Sequence, residues 1–471
     1  MNCGGEIIGC LFHEFLVLDF INTLTQAFAL GPIVCENIIL LCSYSISGQT
    51  PSNGRSTNGH YEAPSMRIGI DASNLRAGGG LTHVRELLQA AQPQEYRVKQ
   101  VIVWGGENTL KQLPCRPWLK CVHEPLLDRP LPFRLSWQNV TLSQLAKQHC
   151  DSLFVPGGSY RGSFRPFVMM SRNLLPFEEH ERNRYGLSWM FMKLRLLQFR
   201  QTRSLRTADG VIFLTEYARS VLKREVNLSG WQTLIPHGIN PRFYRPPRVQ
   251  RPIGTYSKRH PFKFLYVSTI DVYKHQWHVA EAVAELRKDG LPVVLDLVGP
   301  AYAPALRRLR RIMKGIDPGS EFIRYRGAVP SSELPYYYHQ ADGFVFASSC
   351  ENMPNILLEA MASGLPIACS KRGPMPEMLG NAGIYFDPEQ PVEIARALDF
   401  LMDSPSLREH CASLAYQQAQ RYSWERCAGE TFSFLTQVAH SVRTGVPTMG
   451  SIAVTEATGR RSSPLSREDR F

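Results

Sequence analysis

From Met66 onward, short apolar runs alternate with stretches whose apolar residues recur at helical spacing. Alternation of that kind predicts parallel sheets with helices in the crossovers. In the first half the runs predict strands at 67–71, 98–104, 118–122, 151–155, 167–171, 209–215 and 232–235. In the second half they predict strands at 262–268, 292–298, 322–326, 343–347, 366–370 and 383–386. The fold class is therefore α/β, with two Rossmann-like, doubly wound parallel-sheet domains. Ligands of such sheets bind beyond the carboxyl ends of the strands, so two sheets facing each other make a cleft.

The pattern also divides the chain. Residues 66–245 are expected to form the first domain and 259–445 the second, with terminal helices. Between them, 246–258 reads as a linker, at the end of a stretch with Pro246, Pro247, Pro252 and several arginines. The tail 446–471 is rich in Ser, Thr and Arg without a period, and is expected to be disordered. Residues 1–65 are expected to lie outside the fold. They carry no Lys or Arg before Arg55, so the cationic start of a signal peptide is missing. The charge-free stretch Phe20 to Cys35 contains Gly31-Pro32 and several polar residues, which makes a poor spanning helix. Two readings stand for this segment: an upstream extension with Met66 as the working start, or a membrane-associating hairpin.

Composition adds limits. The 471 residues, 44% hydrophobic and 20% charged, are in the globular range. A formal net charge of +12 points to acidic partners such as nucleotides or anionic lipid surfaces. No nucleic-acid motif is present, and nucleic acid is not an expected partner. The 11 cysteines include no CxxC pair, which reads as free thiols in a reducing, cytoplasmic setting. Arg182 to Arg206 holds seven basic residues and no acidic one, interleaved with Trp189, Met190, Phe191, Met192 and Phe199. It reads either as an amphipathic helix on an anionic membrane surface or as a packed helix with a solvated basic face. The cluster Arg307, Arg308, Arg310, Arg311 and Lys314 reads as a solvated helix face.

The segment that bears on chemistry is CENMPNILLEAMASGLPI, Cys350 to Ile367. Asn352 is placed to cap a helix, Pro354 is tolerated in its first turn, and Gly364 can end it. The body is apolar almost all round (Ile356, Leu357, Leu358, Ala360, Met361), as in a buried helix. Glu359 sits within it, and a buried carboxylate needs a partner. Ribose hydroxyls would supply one. Glu351 precedes it by eight residues, or about 12 Å along a helix axis, roughly the span from a ribose across a diphosphate to a sugar. The backbone between them, over Asn352, Met353, Pro354 and Asn355, would seat the diphosphate on the N–H groups of its non-proline residues. The Gly78-Gly79-Gly80 loop after the first strand reads either as a tight turn or as a place where Gly79 and Gly80 let backbone approach a ligand. GxGxxG spacing with a downstream acid is absent, which counts against a nicotinamide-dependent oxidoreductase.

This segment resembles the Glu-x7-Glu motif of the family 4 retaining glycosyltransferases. LYVSTIDVYKHQ (265–276), LDLVGP (295–300), YRGAVPSSELPYYYHQADGFVFAS (325–348) and GPMPEMLGNAGIYFDP (373–388) agree with it in order and spacing, as do GIDASNLRAGGGLTHV, LTEYARSVL and IPHGIN in the first half. The resemblance covers about 66–435 and is more specific in the second half. It implies a GT-B fold and retaining transfer from a nucleoside diphosphate sugar to a glycan or lipid-linked acceptor, in polysaccharide or envelope glycan assembly, without a cofactor. Lys274 would bind phosphate and assist its departure, Glu351 would contact the sugar, and Glu359 the ribose. No acidic DxD-type motif stands at a strand end, in keeping with metal independence. The sequence departs from the family at Thr269, where an Arg is usual, and at Glu351-Asn352-Met353-Pro354, where many relatives have EGFG. It also has Arg172-Asn173 where many place His-Asp. An arginine is a poor general base, so Arg172 and Asn173 are assigned to the acceptor or phosphate side. Arg372 is a possible additional phosphate cation. Three alternatives remain on the same architecture: a sugar-nucleotide epimerase, a phosphorylase, or a non-catalytic sugar-nucleotide-binding relative.

Overall fold

The computed structural model describes residues 65–445 apart from residue 77. The expectations for 1–64 and for the tail 446–471 fall outside the described residues.

Two parallel sheets form the framework. The first contains β1 (Met66–Asp71), β2 (Val98–Gly105), β3 (Leu119–His123), β4 (Ser152–Val155), β5 (Phe167–Met170), β6 (Gly210–Phe213) and β7 (Trp231–Leu234). The second contains β8 (Phe262–Val267), β9 (Val293–Val298), β10 (Ile323–Gly327), β11 (Gly343–Phe346), β12 (Ile367–Ser370) and β13 (Ile384–Phe386). Their orders are 3-2-1-4-5-6-7 and 10-9-8-11-12-13, with every pairing parallel. Each reverses direction beside its first strand, so each has a crevice at the carboxyl ends next to β1 or β8. The strands lie within two residues of the positions expected from the apolar runs. Their inner members are buried on both faces, as the adjacent pairs Ile102 and Val103, Phe264 and Leu265, and Phe344 and Val345 show.

The helices packed around the sheets include α1 (Gly79–Ala90), α2 (Trp189–Thr207), α3 (Gln276–Lys288), α4 (Asn355–Ala362) and α5 (Trp424–Thr444). Helix α5 follows the second domain in sequence but packs on the first sheet. There Phe434 and Val438 fill the space left by Gly210, and Arg443 reaches Asp151 at 3.7 Å. The chain crosses once more before β8, where the backbone N–H of Arg245 donates to the Ala362 carbonyl at the end of α4. Gly364 follows that end with φ +61°, and an added Cβ would stand 2.6 Å from the Arg245 carbonyl oxygen. Glycine is required there on both counts.

The basic stretch 182–206 is not one helix. Arg182 is buried, donating to the Pro176 carbonyl at 2.6 Å, and Arg184 is held in an ion pair with Glu181. Gly186, at φ +56°, breaks the chain, and α2 begins after Ser188, whose Oγ accepts from the Phe191 N–H. Arg182 therefore belongs to the interior, Arg184 is half-buried in its ion pair, and the exposed basic face starts at Lys193. The cluster Arg307 to Lys314 lies on the exposed face of its helix.

Candidate active site

The carboxyl ends of both sheets converge on a cavity of about 430 Å³. From the first domain it is lined by Gly78 and Gly79, Thr82 and Arg85 of α1, Arg172 after β5, Leu214 after β6, and His237 after β7. From the second come Ser268, Thr269, Tyr273 and Lys274 after β8, then Glu351, Met353, Pro354 and the first turn of α4 down to Glu359. Gly78 precedes α1 with φ +72°, a backbone conformation that side-chain-bearing residues rarely adopt.

Lys274 and Glu351, 77 positions apart, form an ion pair through Nζ and Oε1. Lys274 is nearly inaccessible at 6% exposure, and its ammonium also lies 4.9 Å from the Tyr273 ring centre. A buried ammonium needs this partner. The two groups satisfy one another.

Helix α4 spans eight residues, Asn355–Ala362. Leu357, Leu358 and Met361 are fully or nearly fully buried, each such burial contributing about 1.5–3 kcal/mol. This fixes the helix against the sheet and aims its amino end at the cavity. The expected cap is corrected: Pro354 occupies that position, with no side-chain cap. Asn352 turns away because its side-chain amide donates to Ser171 Oγ at 3.3 Å and its backbone carbonyl accepts from Thr215 Oγ1 at 2.9 Å, both in the first domain. The amides of Asn355 and Ile356, in the first turn, have no acceptor within the helix.

Glu359 faces the cavity from the second turn, and Tyr338 donates to its Oε2 at 2.9 Å. Burial pushes its pKa up to about 7 and outweighs the lowering effects of the Tyr338 hydroxyl and Arg242. Arg172 stands on the opposite wall, donating from Nη1 to the Gly80 carbonyl at 3.2 Å. Burial lowers its pKa to about 10.

Of the residues expected at the site, the structure brings together Gly79, Arg172, Lys274, Glu351, Met353, Pro354, Asn355 and Glu359. Gly80, Asn352 and Asn173 do not line the cavity; Asn173 is exposed and its Oδ1 accepts from the Leu175 N–H. Arg372 is engaged elsewhere, held by Glu389 and by both oxygens of Asp387. Sequence reasoning missed Thr82, Arg85, Arg242, Tyr273 and His237. The IPHGIN match contained His237 without marking it out. His237 lies 2.9 Å from His83 through the two Nδ1 atoms, and both rings pack against Trp424. Burial holds both far below the usual imidazole range, so the pair is neutral.

The two domains are clasped beside the site. Arg184 donates to both oxygens of Glu389 at 2.7 and 2.9 Å and to Glu181 at 2.7 Å. Glu181 in turn accepts from Ser349 Oγ at 2.6 Å. Glu377 of the second domain accepts from the backbone N–H groups of Glu216 and Tyr217 at 2.7 and 2.9 Å.

Residues 261–404 match the family model described as "Glycosyl transferases group 1". Among curated proteins, the chain is 37% identical over 112 residues to the O-antigen chain mannosyltransferase B of Escherichia coli, covering 24% of this chain and 29% of that protein. It is 27% identical over 198 residues to a D-inositol 3-phosphate glycosyltransferase of Paenarthrobacter aurescens, covering 41% and 47%. The matched parts span less than half the length of these relatives. Among solved structures, sucrose-phosphate synthase from Thermosynechococcus elongatus superimposes with a TM-score of 0.63 at 18% identity, over 80% of this chain and 100% of that one. The Anabaena protein Alr3699/HepE, solved with UDP and glucose, gives 0.58 at 17% over the same shares. These likenesses identify the fold as GT-B.

Proposed function

We propose, from a second domain that belongs to the glycosyl transferases group 1 family, that this protein transfers a sugar from a nucleoside diphosphate sugar to a glycan or lipid-linked acceptor. The observation that carries the reading is the cavity between the sheets, which gathers Lys274, Glu351, the amino end of α4 and Glu359.

In this reading Glu359 accepts from the ribose hydroxyls, and the diphosphate lies across the free amides of α4. Lys274 exchanges Glu351 for the phosphate, and Glu351 is released to the sugar hydroxyls. As the sugar–oxygen bond breaks, negative charge builds on the departing phosphate beside a fixed cation and oriented amides, the arrangement that lowers such barriers most. The family resemblance supports retention of anomeric configuration without a metal or cofactor. The O-antigen mannosyltransferase relative supports a hexosyl donor and a role in envelope polysaccharide.

We further assign the protein to the cytoplasmic membrane face. No helix among the described residues is long and apolar enough to cross a membrane. Leu187, Trp189, Met192, Leu196 and Phe199 are all more than half exposed along one stripe of α2 and its lead-in, among the exposed Lys193, Arg195, Arg203 and Arg206. That mixture suits an anionic bilayer. The test of the transfer reading is incubation with UDP-, GDP- and ADP-sugars and candidate lipid-linked acceptors, followed by anomeric analysis of the product. A product with the donor's configuration supports the reading. Donor epimerisation without transfer would replace it by an epimerase.

A further inference from the structure

Among the described residues, Arg172 is a half-buried cation with no counter-charge beside it. It is partly buried on the cavity wall, yet among the described residues no carboxylate lies within 4 Å of it, whereas Lys274 has Glu351 and Arg85 has Glu86. A guanidinium has five N–H donors. One of them, on Nη1, is used on the Gly80 carbonyl. Its other neighbours do not supply negative charge. Gly79 is close enough that an added Cβ would lie 3.3 Å from Nη2, and the nearby His83–His237 pair is neutral. Surroundings of this kind already depress its pKa. Holding a cation there without a counter-charge costs stability, and the planar fork suits two oxygens of one anion.

We propose that Arg172 is the seat of a phosphate-type anion, facing Lys274 from the first domain. The proposal rests on the transfer reading and deepens it: the bound substrates bring one anionic group to each wall. Lys274 takes the donor phosphate at α4, and Arg172 takes either a second set of donor phosphate oxygens or an anionic group on the acceptor.

The experiment uses the full chain and Arg172→Gln, with Arg172→Lys as the conservative variant. The nucleoside diphosphate among UDP, GDP and ADP that stabilises the wild type most is titrated calorimetrically, and so is its parent nucleoside. Inorganic phosphate is then titrated into protein saturated with that diphosphate. If Arg172 holds the donor, Arg172→Gln weakens the diphosphate about tenfold or more and leaves the nucleoside unchanged. If it holds the acceptor's anion, the diphosphate titration is unchanged, while phosphate binds the saturated wild type and is lost in Arg172→Gln. Arg172→Lys restores part of whichever affinity is lost, because it keeps the charge but not the fork. In the absence of ligand, Arg172→Gln melts at or above the wild-type temperature, since an uncompensated charge has been removed. Unchanged diphosphate affinity together with no phosphate binding that depends on Arg172 overturns the proposal, as does a ligand-free Tm that falls while both titrations stay intact. Absence of any nucleotide binding to the wild type would instead remove the transfer reading.

Discussion

Glu359 offers a titration that reports on its role. Its carboxyl is held at about 7, chiefly by burial, against 4.5 for an ordinary glutamate. If ribose hydroxyls donate to it, the ligand binds the ionised form, and affinity must fall as the group is protonated. Roughly half of the molecules carry the carboxylate at pH 7, and roughly 3% do so at pH 5.5, so wild-type affinity should fall roughly thirtyfold between pH 8 and pH 5.5. The phosphates of a nucleoside diphosphate titrate in the same range. Glu359→Gln carries that background without the carboxyl, and the ratio of the two affinities isolates Glu359. The ratio should approach unity at pH 5.5 and open above pH 7. The same shift has a stability sign. The native state keeps its proton above the pH at which the unfolded chain has lost it, so ligand-free protein loses stability as pH rises from about 4.5 to about 7. Saturating ligand should abolish that loss. Calorimetric titrations at several pH values measure both effects, with melting curves alongside. Parallel affinity profiles for wild type and Glu359→Gln would show that the carboxyl has no contact with the nucleotide.

Other outcomes rest on the same geometry. Glu351→Gln releases Lys274 from its ion pair, so diphosphate should bind at least as tightly as to the wild type while turnover at saturating donor falls, since the Glu351 contact matters most as the sugar departs; calorimetry paired with steady-state rates decides this. Arg184→Ala should lower the thermal midpoint near neutral pH. The Arg184 hydrogen bonds hold Glu389 down at about 2, so the stabilisation is complete above about 4.5 and is lost as pH falls through about 2. The wild-type and variant midpoints should therefore converge in acid. Leu357→Ala opens a void behind α4 and should cost about 2–5 kcal/mol in denaturant unfolding. Replacing Trp189 and Phe199 with serine should abolish sedimentation with vesicles rich in phosphatidylglycerol while leaving the thermal midpoint unchanged, because both side chains are more than half exposed. Unaltered sedimentation would count against α2 as the membrane face.

The sheet framework was legible because an inner parallel strand is apolar on both faces, so FLYV and GFVFAS stand out against their surroundings. Glu359 was legible for a related reason: a lone carboxylate in an apolar helix has to be accounted for. What escaped the sequence depends on contacts between distant segments. Nothing in YKHQ or CENMP says that Lys274 and Glu351 neutralise each other. Asn352 has the composition of a helix cap, yet the first domain's Ser171 and Thr215 claim it. Arg182 reads as part of a basic surface, but the Pro176 carbonyl draws it inside. The His83–His237 contact joins residues 154 positions apart and leaves no local signal.

In the proposed function, the cleft between the sheets is a nucleotide-sugar site in which Lys274 meets the phosphate. Calorimetric titration of wild type and Lys274→Ala with the nucleoside diphosphates tests it most directly. One diphosphate should bind per chain, with affinity reduced about tenfold or more in the variant, as loss of a charge-assisted contact requires. Equal affinity in the two proteins, or no binding of UDP, GDP or ADP by the wild type, would contradict it.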